Sequence, residues 1–250
     1  MSISANSLIN DSVNFFKNQL GGLFTIALLA AVVSVIIYAI LIPDPQLFVT
    51  YLESLKKLTE VGSQGAQYWL ENMTDQEKNA IIHVFFGTLL PTILGSTILI
   101  CGVLSYINRL SRGEDITAMQ ALSSSLPKIP SIFLLVLICS LLVQIGINLF
   151  IVPGVLLAIG FSLAPAVLIS ENVSPFSAIG KSWKIAYANW RIILPMIMIW
   201  LASQMLIALL FNMFELNYIV SNGISFFVNN LIAAFVLLYF FRLYMLVNLK

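Results

Sequence analysis

Six long apolar runs, separated by short polar segments, dominate the pattern along this chain. The runs cover approximately residues 22–42, 81–107, 131–151, 155–170, 191–211 and 224–246. A helix needs about 20 apolar residues to cross a hydrocarbon core of about 30 Å, and most of these runs reach that length. The pattern therefore predicts an all-α membrane protein with six transmembrane helices, folded as one domain over residues 1–250.

The composition agrees with this prediction. Hydrophobic residues make up 60% of the chain and charged residues only 9%, whereas an average soluble domain has about 25% charged residues. There is no basic stripe on a polar fold, so nucleic acid is not an expected partner. The first run follows about twenty mixed residues and lacks a small-residue cleavage site, which indicates a retained span rather than a signal peptide.

The lysines and arginines predict the orientation of the chain. If the N-terminus is cytoplasmic, nine of the 12 cationic residues lie on the cytoplasmic side and only Lys56, Lys57 and Lys78 lie outside. Such a bias is typical of cytoplasmic loops, so we expect both termini in the cytoplasm. The sizeable outside segment is then the loop 44–79, which is too short for a domain with its own core.

A cytoplasmic amphipathic segment precedes each outward-going span. The three segments are residues 4–22, 114–131 and 174–191, and Asp115 and Ser174 are the expected N-caps of the second and third. Residues 117–119 also align with residues 177–179 at an offset of 60. We therefore expect three cytoplasmic-face interfacial helices, in a repeat of interfacial helix, outward span and returning span.

The third segment carries aromatic residues on one side and lysines on the other. Helices of this kind lie at the headgroup level of a bilayer, with aromatics buried and lysines near anionic lipid. Membrane phospholipids are therefore the expected partners. A plain connector between two spans is the alternative interpretation. The candidate lipid-interface residues are Lys181, Trp183, Lys184, Tyr187, Trp190 and Arg191.

Polar residues within the apolar runs allow two interpretations. They can form hydrogen bonds between neighbouring helices, or they can line a polar groove. The region around the fourth run favours a groove, because Val155 to Ile169 is short for a full crossing and a tight turn is expected just before it. The candidate groove and turn residues are Gln144, Asn148, Pro153, Gly154, Gln204 and Asn229.

The sequence offers little for catalysis or metal binding. Cys101 and Cys139 lie in predicted spans, where small apolar packing is the usual role of a cysteine. His83 has no Cys or His companion at metal-ligand spacing, and no phosphate loop, nucleophile elbow or zinc-protease motif is present. We expect no catalytic residue, no metal and no cofactor, and hence not an enzyme.

Three stretches together resemble one protein family: "MSISANS…NFFKNQ" at the start, "LLVQIGINLFIVPGVLLAIGFSLAPAVL" in the middle and "LLYFFRLYML" near the end. They are similar to the YciC family of bacterial inner-membrane proteins, and the similarity covers essentially the whole chain. The resemblance implies a multi-pass protein of the inner membrane of a Gram-negative-type bacterium. It supplies no biochemical activity and no catalytic residues.

These observations leave more than one function open. The first hypothesis is a non-enzymatic membrane protein that supports envelope or lipid-bilayer homeostasis, because amphipathic surface is abundant and the spans are almost free of charge. The rival is a carrier or flippase-like protein for a lipid or a small apolar solute, which would use the groove residues. An intramembrane enzyme comes third. Protein partners are open, and a homo-oligomer is one possibility.

Overall fold

The computed structural model describes residues 5–41, 44–60, 65–212 and 218–248, and these ranges are helical apart from short connections. A 3-10 turn covers Leu126–Lys128. The α-helices are α1 (Ala5–Asn18), α2 (Leu20–Leu41), α3 (Pro45–Glu60), α4 (Gly65–Glu71), α5 (Asp75–Leu110), α6 (Ala118–Ser125), α7 (Ile129–Leu149), α8 (Ile151–Phe161), α9 (Ala164–Glu171), α10 (Pro175–Ala188), α11 (Trp190–Asn212) and α12 (Tyr218–Asn248).

Within the described residues, six helical segments are long and apolar enough to cross a membrane, which confirms the predicted all-α fold with six spans. Each observed segment overlaps one predicted run. The segments are Leu20–Leu41, Asp75–Leu110, Ala118–Ile147, Val152–Glu171, Trp190–Phe211 and Val220–Asn248.

Helices α2, α5 and α12 form the centre of the bundle. The Ser34 hydroxyl on α2 donates to the carbonyl of Pro91 on α5 at 3.0 Å. The Asn230 amide on α12 donates to the carbonyl of Ala27 on α2 at 3.4 Å. Both bonds join different helices, as expected for polar side chains in membrane bundles. Gly95 lets α5 approach α2, because a Cβ at this position would lie 1.9 Å from Ser34 Oγ.

Helix α3 packs along the first turns of α5, on the side of the membrane predicted to lie opposite the cytoplasm. The Lys57 amine lies 2.6 Å from a carboxylate oxygen of Glu77, and this carboxylate raises the pKa of Lys57. The Trp69 indole on α4 donates to the carbonyl of Ser54 on α3 at 2.9 Å. Thr74 and Glu77 form the capping box that their spacing predicts at the start of α5.

The apolar face of α1 is covered by α12. The rings of Phe16 and Phe235 lie 5.6 Å apart. Arg242 stacks on Phe15 at 4.7 Å and lies 3.4 Å from the carboxylate of Asp11. Every exposed side chain of α1 is polar or charged. The amphipathic helix is therefore present as predicted, but its apolar side chains are at most half-exposed, and its expected interfacial role is not confirmed.

The three amphipathic helices, α1, α6 and α10, each carry a buried serine at the same distance from the helix start. Thr117, not the predicted Asp115, is the N-cap of α6, and it forms a capping box with Gln120. Ser174 caps α10 as predicted, so the two caps are 57 residues apart, whereas residues 117–119 and 177–179 were aligned at an offset of 60. A buried serine stands seven residues after the first residue of each helix. These serines are Ser12 in α1, Ser125 in α6 and Ser182 in α10.

The hairpin between the third and fourth spans differs from its prediction. The chain reverses at Phe150, which has an extended backbone (φ −157°, ψ 141°) and is 74% exposed. Pro153 and Gly154, predicted as the turn, instead lie in the first turn of α8. Gly154 is needed for a close helix contact, because a Cβ there would lie 2.6 Å from the backbone nitrogen of Ile147.

The fourth span is also longer than predicted, and it is broken. It begins at Ile151 rather than Val155 and continues to Glu171. At Ser162 and Leu163 the helix is interrupted, so α8 and α9 are separate helices. The span is therefore long enough for a full crossing, and the feature that needs an explanation is the break.

We expect Gly154→Ala to destabilise the α7–α8 hairpin by about 1–3 kcal/mol, because backbone atoms of Ile147 cannot move aside for the new methyl group. Gly180→Ala is the control, since no atom lies within 4 Å of a Cβ there, and helix propensity favours alanine by up to about 1 kcal/mol. Thermal unfolding in detergent measures both. Equal midpoints for the two variants would contradict the close contact.

Candidate lipid-interface site

Helix α10 packs antiparallel to α8 and α9 through a face of small residues. Ala178, Ser182 and Ala186 recur every four residues, and all are completely buried. Near the end of α10, the Tyr187 hydroxyl donates to the carbonyl of Leu156 at 3.0 Å. Because small side chains form the buried face of α10, its aromatic residues and lysines lie on the flanking and outer faces of the helix.

Ser182 connects α10 to the break in the fourth span. Its hydroxyl donates to the carbonyl of Gly160 at 2.6 Å and accepts from the backbone N–H of Leu163 at 3.2 Å. Beside it, the Trp183 ring covers Gly160, where a Cβ would lie 2.6 Å from the indole. Ser182 was not among the residues predicted from the sequence for this site. It stands four residues from an alanine on either side, and this spacing of small residues is typical of a closely packed helix face.

The aromatic candidates differ in exposure. Phe176, Tyr187 and Trp190 are 67%, 36% and 45% exposed. Trp183 is only half-exposed, because it packs against Phe161 with ring centroids 5.8 Å apart. Tyr187 and Trp190 are therefore placed as the lipid-interface prediction requires, whereas Trp183 mainly holds α10 on the protein. Phe176 adds a third exposed ring.

The cationic candidates also differ. Lys181 forms an ion pair with Glu171, which also accepts a hydrogen bond from the Tyr244 hydroxyl at 2.8 Å. Lys184 and Arg191 are exposed and have no acidic partner among the described residues. The Arg191 guanidinium lies 5.6 Å from the Trp190 ring. Two of the three predicted cations are thus available to an anionic ligand.

These groups meet at the corner where α10 ends and α11 begins. A concave site of about 430 Å³ is lined by residues 187–192 of this corner. Tyr187, Trp190 and Arg191 are among the lining residues, and Lys184 lies one turn before Tyr187 on α10. Amphipathic rings beside uncompensated cations are suited to bind an anionic group attached to an apolar body. We call residues 187–192 with Lys184 the α10–α11 corner.

The described polar groove candidates do not come together in one surface. Gln144 is exposed on α7, on the side away from α8, and the side chain of Asn148 lies outside the described part of the chain. Gln204 on α11 and Asn229 on α12 are half-buried. Helix α7 packs on α5 and α8, whereas α11 packs on α12 and α8. The structure therefore does not bring Gln144 together with Gln204 and Asn229.

No three His, Cys, Asp or Glu residues of the described ranges lie close enough to hold a metal ion. Cys101 is buried and Cys139 is half-buried, both as free thiols. His83 is exposed near the start of α5. None of these residues adds chemistry to the α10–α11 corner.

Comparison with known proteins places the chain among bacterial membrane proteins. A model of the uncharacterised protein family UPF0259 matches residues 1–246. A UPF0259 membrane protein of Photorhabdus laumondii is 37% identical over 248 residues, covering 99% of this chain and 97% of the relative. Another, from Serratia proteamaculans, is 36% identical over 251 residues and covers 99% and 100%. No solved structure matches the chain.

Ser182→Ala leaves the Gly160 carbonyl and the Leu163 N–H without their partner in a buried place, so we expect it to destabilise the protein by about 1–3 kcal/mol. The matched control is Ser177→Ala on the exposed side of the same helix, with an expected change within about 0.5 kcal/mol. Thermal unfolding in detergent compares them. If both variants melt like the parent, the Ser182 bridge does not stabilise the break.

Proposed function

Because the chain belongs to the uncharacterised UPF0259 family of membrane proteins, which is the YciC family, we propose that it acts without enzymatic chemistry at the lipid surface of the bacterial inner membrane. The α10–α11 corner binds the headgroup of an anionic phospholipid in the cytoplasmic leaflet. Through such contacts the protein supports envelope or lipid-bilayer homeostasis. The observation that carries this proposal is the concave corner with two unpaired cations and exposed aromatic rings.

The charges of the corner support an anionic ligand. Each cation near an anionic membrane surface contributes about 1 kcal/mol of attraction, so Lys184 and Arg191 together supply about 2 kcal/mol. Lys181 contributes less than the sequence suggested, because Glu171 neutralises it. Tyr187 and Trp190 are suited to headgroup depth, where the rings of these two residue types are enriched.

The placement of other charged groups supports a cytoplasmic corner. Arg109 and Glu114 pair at the end of α5, and the Lys128 amine donates to the carbonyl of Ile169 at the end of α9. The bundle connectivity places the ends of α5 and α9 on the same side as the start of α7. That side holds the excess of cations, as cytoplasmic segments do.

We expect a cysteine introduced at Ser111 to be labelled only after the inner membrane is permeabilised, since the positive side faces the cytoplasm. A cysteine at Gln67 on α4 is the opposite control and reacts with impermeant reagent in intact spheroplasts. Both positions are exposed. The background has Cys101 and Cys139 replaced by alanine. Labelling of Ser111→Cys from outside would reverse the proposed orientation and remove the corner from the cytoplasmic leaflet.

The rival carrier hypothesis is less well supported. It requires a groove shared by Gln144, Asn148, Gln204 and Asn229, and Gln144 lies on the side of α7 away from α8. The break in the fourth span is the other place where a carrier could bind a substrate, since broken helices form such sites in transporters. In this chain, however, the Ser182 hydroxyl already hydrogen-bonds to the Gly160 carbonyl and the Leu163 N–H at the break.

The combined variant Lys184→Glu/Arg191→Glu tests the corner. Reversing two cations removes the attraction and adds repulsion, so the preference for anionic lipid should fall by about 2 kcal/mol or more, which is about 30-fold. The protein is placed in nanodiscs with equal amounts of phosphatidylglycerol and phosphatidylethanolamine. Native mass spectrometry then counts the lipids that each variant retains.

The matched control for this experiment is Lys17→Glu/Arg112→Glu, which changes the net charge equally at two exposed positions of the same predicted side. It should retain the parental preference. Equal loss of phosphatidylglycerol from both double variants would show a general charge effect and contradict a specific corner. No loss from either variant would contradict anionic lipid binding altogether.

A further inference from the structure

Gln144 occupies an unusual position on α7. It is exposed, and it precedes Gly146 by two residues, a rotation of about 200° around the helix. Gly146 is buried against α8, where a Cβ would lie 2.9 Å from the Cα of Gly154. The Gln144 side chain therefore points away from α8, out of the bundle.

The depth of Gln144 makes this orientation costly. The Lys128 amine, which donates to the Ile169 carbonyl at 2.9 Å, marks the polar end of α7. Gln144 is 16 residues further along, about 24 Å of helix, which is short of a hydrocarbon core of about 30 Å. Beyond it, Ile145, Ile147 and Phe150 are exposed apolar residues. The amide therefore lies within the apolar layer.

An amide in hydrocarbon requires a hydrogen-bond partner, because the lipid tails supply none. No described residue of this chain bonds to the Gln144 side chain. A glutamine amide has both donors and an acceptor. Its partial charges are therefore complementary to those of a second glutamine amide.

We propose that the face of α7 that carries Gln144 is the contact surface for a second copy of this chain. The half-buried Leu137 and Leu141 precede Gln144 by seven and three residues and so share this face. When two copies are related by a twofold axis, this face of one α7 contacts the same face of the other α7, as in closed dimers. Reciprocal hydrogen bonds between the two Gln144 amides then satisfy both side chains inside the membrane.

This inference is independent of lipid binding at the α10–α11 corner, and it is tested by disulfide crosslinking in native membranes. In a background with Cys101 and Cys139 replaced by alanine, Leu141→Cys should give an oxidised dimer, since position 141 faces its own copy. Leu142→Cys is the control. At 41% exposed it is more accessible than the half-buried Leu141, but it lies about 100° further around the helix. It should stay monomeric.

The role of the amide is tested by adding Gln144→Leu to Leu141→Cys. Leucine keeps the size and removes the reciprocal hydrogen bonds, so the dimer yield should fall several-fold at equal membrane abundance. Undiminished crosslinking would show that Gln144 does not hold the interface. Absence of a Leu141→Cys dimer, or equal crosslinking of Leu142→Cys, would overturn the proposed surface and leave Gln144 as a residue that reaches toward the headgroups.

Discussion

The constraint on which this structure depends is that hydrocarbon offers no hydrogen bonds to a backbone. An unbroken helix meets that condition by itself, but the fourth span does not, because it stops at Phe161 and restarts at Ala164. The Ser182 hydroxyl pairs with one carbonyl and one N–H at this break. Since Ser182 belongs to α10, the broken span and the amphipathic helix after it are one structural unit.

Helices α1, α6 and α10 have an equivalent buried serine, and its hydrogen bonds differ with the helix that packs against it. All three helices bury a serine at the same position. Ser182 meets a broken span and bonds to it, whereas the Ser125 hydroxyl donates to the carbonyl of Leu122 in its own helix. Ser12 in α1 is buried without a described hydrogen-bond partner. Helix α1 packs on α12, which is continuous and has no freed backbone group to offer.

The hydrophobic pattern predicted the six spans and the residue type predicted the cap at Ser174, because these features depend on neighbouring residues alone. The sequence prediction was wrong where two features of the sequence favour different structures. Asp115 and Thr117 are both good N-caps, and only Thr117 has a glutamine three residues later to complete a capping box. Pro153 and Gly154 are typical of turns, but in this chain a close helix contact requires Gly154.

The candidate site was predictable only in part for a similar reason. Periodicity places aromatic residues and lysines on different sides of α10, and the exposed positions of Tyr187 and Trp190 agree with it. That Lys181 is neutralised depends on Glu171 lying beside it, ten residues earlier in the chain. This contact follows from the antiparallel packing of α9 and α10. Sequence spacing does not reveal such packing, nor the half-burial of Trp183 against Phe161.

The hairpin that α7, α8 and α9 form has a consequence for insertion of the chain into the membrane. Residues 129–170 contain no charged side chain, and their reversal at Phe150 is apolar. In the proposed orientation, this hairpin can partition into the bilayer from the cytoplasmic side as one closed unit, with no ion to carry across. The segment 44–79 is different, since it contains several carboxylates and lysines. In the proposed orientation these ions have to cross the bilayer, which is costly, so the two segments place different demands on insertion.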